Sequence, residues 1–332
     1  MKPFQSLGLV AAICAWLGLA SPLAAHEGPE HEIEELTELL NRGETADLFL
    51  QRAIEYRVLG KLGEAARDLE HAIRLGPEKL LVHRELGRVY FSLGKTNEAL
   101  DTISHALKLK TDEPNELAAL HASRAEILKA RADYKKSLED CNQAIQLHKQ
   151  NVDWYILRSD LHERLKQPKE RLDGIRQGID ETGSGVLELE WIEALLDDKQ
   201  FAEALKKIEP ELQSSRIRSS WLVRRARAQL GLGKTEAAKT DLEEAIQEMS
   251  TRINPSSPDV TLLTERAQAH EMLKDRDSAK HWYELARDAG AEDWVKEKIK
   301  AIKAEEDAEK EPKEKSKEKS KDKDKDKDKP SP

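Results

Sequence analysis

The sequence predicts an all-α solenoid of stacked helix pairs, and three observations carry that prediction. Residues 46–79 and 80–113 align feature by feature at a shift of 34 residues: Tyr56 with Tyr90, Gly60 with Gly94, Ala65 with Ala99, Ala72 with Ala106. Self-similarity at a fixed period of this size marks a repeat architecture. Within each copy, apolar residues fall three and four apart, the spacing of an amphipathic helix. Small residues recur where two helices must cross closely: Ala53 and Gly87 in the first helix, Ala65/Ala99 and Ala72/Ala106 in the second. One such pair cannot bury its apolar stripe alone, so the copies must stack.

The elements follow in order. The first helix of the first copy runs to about Leu59 and stops at Gly60, because glycine adopts the left-handed conformation at little cost. The second runs from about Gly63 to Leu75 and ends at Gly76-Pro77. Leu86-Gly87, Tyr90, Ala99 and Ala106 in the second copy, and Phe49, Tyr56, Ala65, Ala72 and Pro77 in the first, resemble the tetratricopeptide repeat family. Two departures are Arg52-Ala53 in place of Leu-Gly and Thr111 in place of the proline.

Five more copies are expected. Residues 118–151 keep Ala125, Tyr134 and Ala144 after four extra residues, Pro114–Leu117. Residues 152–184 and 185–218 are degenerate, with Arg171, Ile192 and Glu211 at small-residue positions. Residues 219–252 recover with Ala226, Gly233, Ala238 and Ala245. The seventh copy, 260–293, follows the insert Ile253–Asp259 and keeps Ala267, Ala279, Tyr283 and Ala286. A last helix, about Glu292–Ala304, is expected to cap the stack with Trp294, Ile299 and Ile302. Three copies carry Arg at position 7 and Asp at position 23: Arg52/Asp68, Arg124/Asp140 and Arg225/Asp241; where Leu86 replaces the arginine, Thr102 replaces the acid. The covariation predicts a bridge between the two helices of each copy.

The flanks set the expected location. Residues 1–25 read as a secretory signal, with Lys2 as the only charge, the apolar run Leu7–Ala20, and Ser21–Ala25 as cleavage region. No membrane insertion is expected after cleavage, and the mature protein is placed outside the cytoplasm, periplasmic or secreted. Cleavage leaves only Cys141, so no internal disulfide forms, and this cysteine falls on the inner face of a second helix. Residues 26–45 form an acidic segment with a short capping helix near Glu30–Leu40; they carry seven acids and one base. Residues 305–332 form a mixed-charge tail with nothing apolar to bury, which composition predicts to be disordered.

The net charge of −9, without a basic patch interleaved with aromatics, gives no nucleic-acid signal. Ala228 with Gly233-Lys234-Thr235 satisfies a loose phosphate-loop pattern. The repeat explains it, since Gly94-Lys95-Thr96 and Gly60-Lys61 hold the same slot. No nucleophile–base set or paired-carboxylate set stands out, so neither enzyme nor cofactor is predicted; the cluster Glu190, Trp191 and Glu193 is the one place to inspect for a hidden site.

The resemblance implies a superhelix whose concave face, made by first helices, holds a segment of another protein. Carried onto this chain at positions 2, 5, 9 and 12, the groove candidates are Leu50, Ile54, Arg57, Arg84, Arg88, Phe91, Glu126, Asp160, Glu163, Leu189, Glu193, Val223 and Arg227. The family's carboxylate clamp is not carried over, because Leu50/Ile54 and Arg84/Arg88 stand in its lysine and asparagine slots. The candidates predict an electrically split groove, with Arg84, Arg88 and Arg227 toward its ends and Glu126, Asp160, Glu163, Glu190 and Glu193 between them. The alternative function is metal handling: His26, as mature N-terminus, could grip copper with His31 nearby.

Overall fold

The computed structural model describes residues 28–77, 79–254, 256–305 and 308. The signal segment, His26 and nearly all of the tail lie outside them. The described residues form sixteen helices and no strand. The chain divides into two compact units, Met1–Leu165 and Lys166–Pro332, and the division falls inside the fourth copy.

In the first unit, α1 (Pro29–Arg42) packs on α2 (Ala46–Val58), and α2 pairs with α3 (Leu62–Leu75). Two more pairs follow, α4 (Leu80–Ser92) with α5 (Thr96–Ala106) and α6 (Pro114–Ala130) with α7 (Tyr134–Leu147); α8 (Val152–Arg164) then packs on α6 and α7. The four extra residues Pro114–Leu117 become the first turn of α6, where proline loses no bond because its missing N–H falls among the unpaired ones. The first helices α2, α4, α6 and α8 touch in succession.

In the second unit, α9 (Pro168–Thr182) packs on α10 (Gly185–Asp197). The helices α11 (Phe201–Ser214) and α12 (Ser219–Gly231) follow, with α13 (Thr235–Arg252) paired to α12 and α14 (Val260–Met272) paired to α15 (Arg276–Asp288). The last helix, α16 (residues 293–305), buries Val295, Ile299 and Ile302 in one cluster with Leu263, Tyr283 and Ala286. Val295 therefore takes the inner place expected for Trp294, which is 41% exposed and meets only the edge of Tyr283.

All seven copies turn at one residue. Position 15 is left-handed in every copy: Gly60, Gly94, Ala132, Lys166, Lys199, Gly233 and Lys274, with φ of 71°, 74°, 60°, 58°, 61°, 75° and 62°. The next N–H then donates back to the carbonyl five residues before, as Lys61 does to Tyr56 and Gln200 to Leu195, both at 2.8 Å. That bond closes a helix C-terminus and re-aims the chain into the second helix. The degenerate copies keep the left-handed residue as the others do, at Lys166 and Lys199. The Gly233-Lys234-Thr235 stretch lies at this turn and follows helix α12, not a strand.

The predicted arginine–aspartate bridges are present. Arg52 donates from Nε and Nη2 to Asp68 at 2.7 and 2.8 Å, Arg124 to Asp140 at 2.6 and 2.7 Å, and Arg225 to Asp241 at 2.7 and 2.7 Å. The remaining Nη1 reaches back to the helix that precedes the copy: Arg52 to Thr37, Arg124 to Ser104, Arg225 to Glu209. One planar fork thus ties three helices together, a geometry lysine cannot supply. The same two positions also touch where the residues differ. In the fifth copy the ammonium of Lys207 stands 4.4 Å from the Trp191 ring, and in the seventh the Arg266 guanidinium stands 4.0 Å from Trp282.

The second copy, with Leu86 and Thr102 at those positions, relies on close approach instead. A Cβ on Gly87 would come within 2.5 Å of the Ile103 side chain. Cys141 is fully buried, and burial pushes its thiol up to about 12, which leaves it an inert core residue.

Candidate partner-binding site

The predicted groove residues do not share one environment. In the first unit, Leu50 is buried in the core cluster that also holds Leu40 of α1, and Ile54 packs against the same cluster. Phe91 packs against the cluster built on Leu80, Ile103 and Leu120. These three apolar candidates mainly hold the unit together.

The charged candidates are displayed, but most of them are already engaged. Arg57 and Arg88 share the buried carboxylate of Glu85, at 3.3 and 3.2 Å, and Arg84 meets Glu116 at 3.3 Å. Asp160 accepts from Lys129 at 2.7 Å and Arg164 at 3.2 Å. Burial alone would raise its carboxyl, but these two cations outweigh burial and hold it below the usual range. Glu126 is exposed by area yet crowded by the neighbouring first helices, and that crowding raises its carboxyl against the pull of Arg88 and Lys129. Glu163 is exposed on α8.

In the second unit, Glu193, Val223 and Arg227 come together as walls of a cavity of about 720 Å³. The first helices α10, α12 and α14 build it. Thr261, Thr264, Gln268 and Glu271 of α14 complete the wall, and Lys298 of α16 closes one end. Arg224 donates to Glu193 at 2.6 Å, Arg227 reaches Glu193 at 3.2 Å and also Asp197, and Lys298 meets Glu271 at 2.7 Å. Arg227, Glu193 and Arg224 therefore staple one copy to the next through their first helices.

Leu189 lines a different cavity, of about 1090 Å³, between α9 and α11 over α10, where Trp191 also stands. Glu190 is bonded to Arg171 at 3.1 Å. Glu190, Trp191 and Glu193 thus face three different surroundings and form no common site.

These pairings engage the charges of the expected split groove within the chain itself. The arginines expected to be available at its ends are bonded to Glu85, Glu116, Glu193 and Asp197. The residues missed are largely those at position 6 of the copies: Glu85, Arg224 and Glu265. They sit one turn before position 9 on the same helix face, and their change of sign from copy to copy is the signal that could have found them.

Of the metal alternative, His26 lies outside the described residues, and His31 stands on α1 beside Glu35 at 3.6 Å. No group of three or more histidine, cysteine or acidic side chains among the described residues could hold a metal ion.

Residues 59–123 match the family model described as Tetratricopeptide repeat. The crystal structure of a tetratricopeptide repeat protein from Parabacteroides merdae covers 82% of this chain and 99% of its own at 18% identity, with a TM-score of 0.56. The structure of yeast Tom70 covers 84% of this chain and 60% of its own at 20% identity, with a TM-score of 0.51. The human mitochondrial import receptor subunit TOM70 is 26% identical over 141 residues, 41% of this chain and 23% of that protein. This chain therefore spans about a quarter of that relative's length. The matched family is a repeat family, and no catalytic family is indicated. The chain carries tetratricopeptide repeats and has their all-α solenoid fold.

Proposed function

We propose that this protein is a non-enzymatic interaction scaffold that holds an extended segment of another protein against its first helices, outside the cytoplasm. The observation that carries the binding mode is the cavity of about 720 Å³ in the second unit, where Glu193, Val223 and Arg227 meet the polar face of α14. Its volume suits a few residues of a peptide. Its charges are held in intramolecular pairs, so it favours an uncharged stretch of the partner over one that would have to break a pair. The proposed location rests on the apolar run and small-residue cleavage region of residues 1–25.

A photoreactive residue at Thr261 or Gln268 tests the binding mode in cells, with the exposed Lys239 of α13 as control. One discrete partner segment should crosslink at the cavity positions and not at Lys239. Equal labelling at all three, or labelling at Lys239 alone, places the contact elsewhere. Sequencing the N-terminus of the mature protein tests the location; retention of Met1–Ala25 rules out export by cleavage.

A further inference from the structure

The fifth copy departs from the others at one packing position. Position 27 is a buried alanine or glycine in six copies, at Ala72, Ala106, Ala144, Gly178, Ala245 and Ala286. In the fifth it is Glu211, which is exposed. The side chains at a helix contact set how closely the helices approach, and a glutamate that stays at the surface forgoes the close approach of alanine. Its neighbour Pro210, inside α11, has no N–H to return to the carbonyl of Lys206. Both residues line the cavity of about 1090 Å³ between α9 and α11 over α10.

This cavity is apolar at Leu172, Leu189, Trp191 and Trp221, all of them partly exposed. Arg176 reaches the Trp191 ring from the α9 wall and Lys207 from the α11 wall, at 5.0 and 4.4 Å from its centre. Two cations thus share one indole. Lys207 has Glu188 at 3.8 Å, but Arg176 is exposed and forms no ion pair among the described residues. A ring face attracts a cation without neutralising it, so Arg176 stays open to a carboxylate.

The remaining lining residues define what fits. Asp173 and Glu211, on opposite walls, form no ion pair among the described residues either. Unpaired charges therefore occur in both signs, which a simple anion or an aliphatic chain does not match and a polypeptide does. Gln200 is the one amide or hydroxyl side chain on the walls, and it donates to Asp198 at 2.7 Å. An extended segment would find little there for its backbone groups, which are costly to bury unpaired. A helix bonds its own backbone. The lining follows α10 from Gly185 to Asp198, about 20 Å, which seats a helix of that length.

We propose that the cavity over Trp191 is a second interaction surface, which takes an amphipathic helix of a partner protein. The helix turns its apolar stripe to Leu172, Leu189 and Trp191, an acidic residue to Arg176, and basic residues to Asp173 and Glu211. The surface lies apart from the cavity lined by Glu193, Val223 and Arg227 and does not depend on the binding mode proposed there.

The test places a photoreactive residue at Lys169 or Glu203, exposed on the two walls, in the full chain in cells, with Lys239 as control. The crosslinked segment is identified by mass spectrometry, and a synthetic peptide of it is titrated against the purified full chain. The segment should carry apolar residues three and four apart, with an acid beside them. Its affinity should fall by about tenfold or more with Arg176→Glu and by less with Arg176→Gln. Replacing the segment's acid by lysine should restore binding to Arg176→Glu. Circular dichroism checks that both variants keep the fold. No discrete crosslink on the two walls, a segment without that apolar spacing, or an affinity indifferent to Arg176→Glu overturns the proposal. A loss that the lysine exchange does not restore overturns the assignment of an acid to Arg176.

Discussion

The first copy and the fifth reach the same geometry with different residues. In residues 46–79 the helices are bridged by Arg52 and Asp68 and the turn is made by Gly60. In residues 185–218 the bridge is Trp191 with Lys207 and the turn is made by Lys199. The cation has moved from the first helix to the second, and an aromatic ring replaces the acid. What the fold keeps is a contact sixteen residues apart and one left-handed residue midway. The two copies differ in how much each contact contributes, and that difference can be measured.

The largest effect is expected at the ion pair. Asp68→Ala leaves Arg52 with Thr37 and no counter-charge at a site where the aspartate side chain is only 10% exposed. Removing one partner of a buried pair strands the other charge, at a cost of about 3 kcal/mol. Denaturant unfolding of the first unit should show that loss. A change within about 0.5 kcal/mol, as for an ordinary surface residue, would make the bridge a bystander.

Acid should separate the two kinds of bridge. In the third copy, burial tends to raise the Asp140 carboxyl, but bonds from Arg124 and His121 outweigh it and leave its pKa lowered. A carboxylate depressed in the folded state stabilises fully above its unfolded pKa of about 3.9 and loses that contribution as pH falls through the folded value. Protection factors against hydrogen exchange in α6 and α7, referred to the intrinsic exchange rate at each pH, should therefore fall as the pH is lowered below about 4. The same acidification leaves the Trp191–Lys207 contact itself charged. An equal fall in protection in α10 and α11 would show that general unfolding governs both.

The turn residue comes next in size. A residue with a Cβ in the left-handed region costs about 1 kcal/mol, and glycine escapes that cost. Lys199→Gly should therefore raise stability by up to about 1 kcal/mol, and Gly60→Ala should lower it by a similar amount. If Lys199→Gly destabilises, its side chain makes a contact that compensates the backbone.

Much of this was legible in the sequence. The period of 34, the left-handed turn at Gly60 and Gly94, and the pairing of arginine with aspartate all follow from identical residues at equal spacing. The equivalents Trp191/Lys207 and Arg266/Trp282 keep the spacing and lose the residue types, so a comparison of identities passes over them. Lys166, Lys199 and Lys274 at position 15 were hidden for the same reason, since lysine does not announce a left-handed conformation. The groove was less legible. Whether Arg88 is available depends on Glu85 one turn earlier and on Arg57 in the copy before, and only the packing of α2 on α4 brings those three together.

The smallest effect is expected at the aromatic bridge. The Lys207 side chain is 42% exposed and stands 3.8 Å from Glu188 as well as over Trp191. A cation over a tryptophan ring at an exposed site contributes about 0.5–1 kcal/mol. Lys207→Met keeps most of the stem and removes the charge, whereas Lys207→Ala removes both, so the pair separates electrostatic from packing contributions. A loss of about 0.5 kcal/mol in Lys207→Met assigns the bridge to the cation and the ring. A loss seen only in Lys207→Ala assigns it to the stem lying on the indole. The fifth copy would then be held by apolar contact alone, and its likeness to Arg52 and Asp68 would be one of position and not of chemistry.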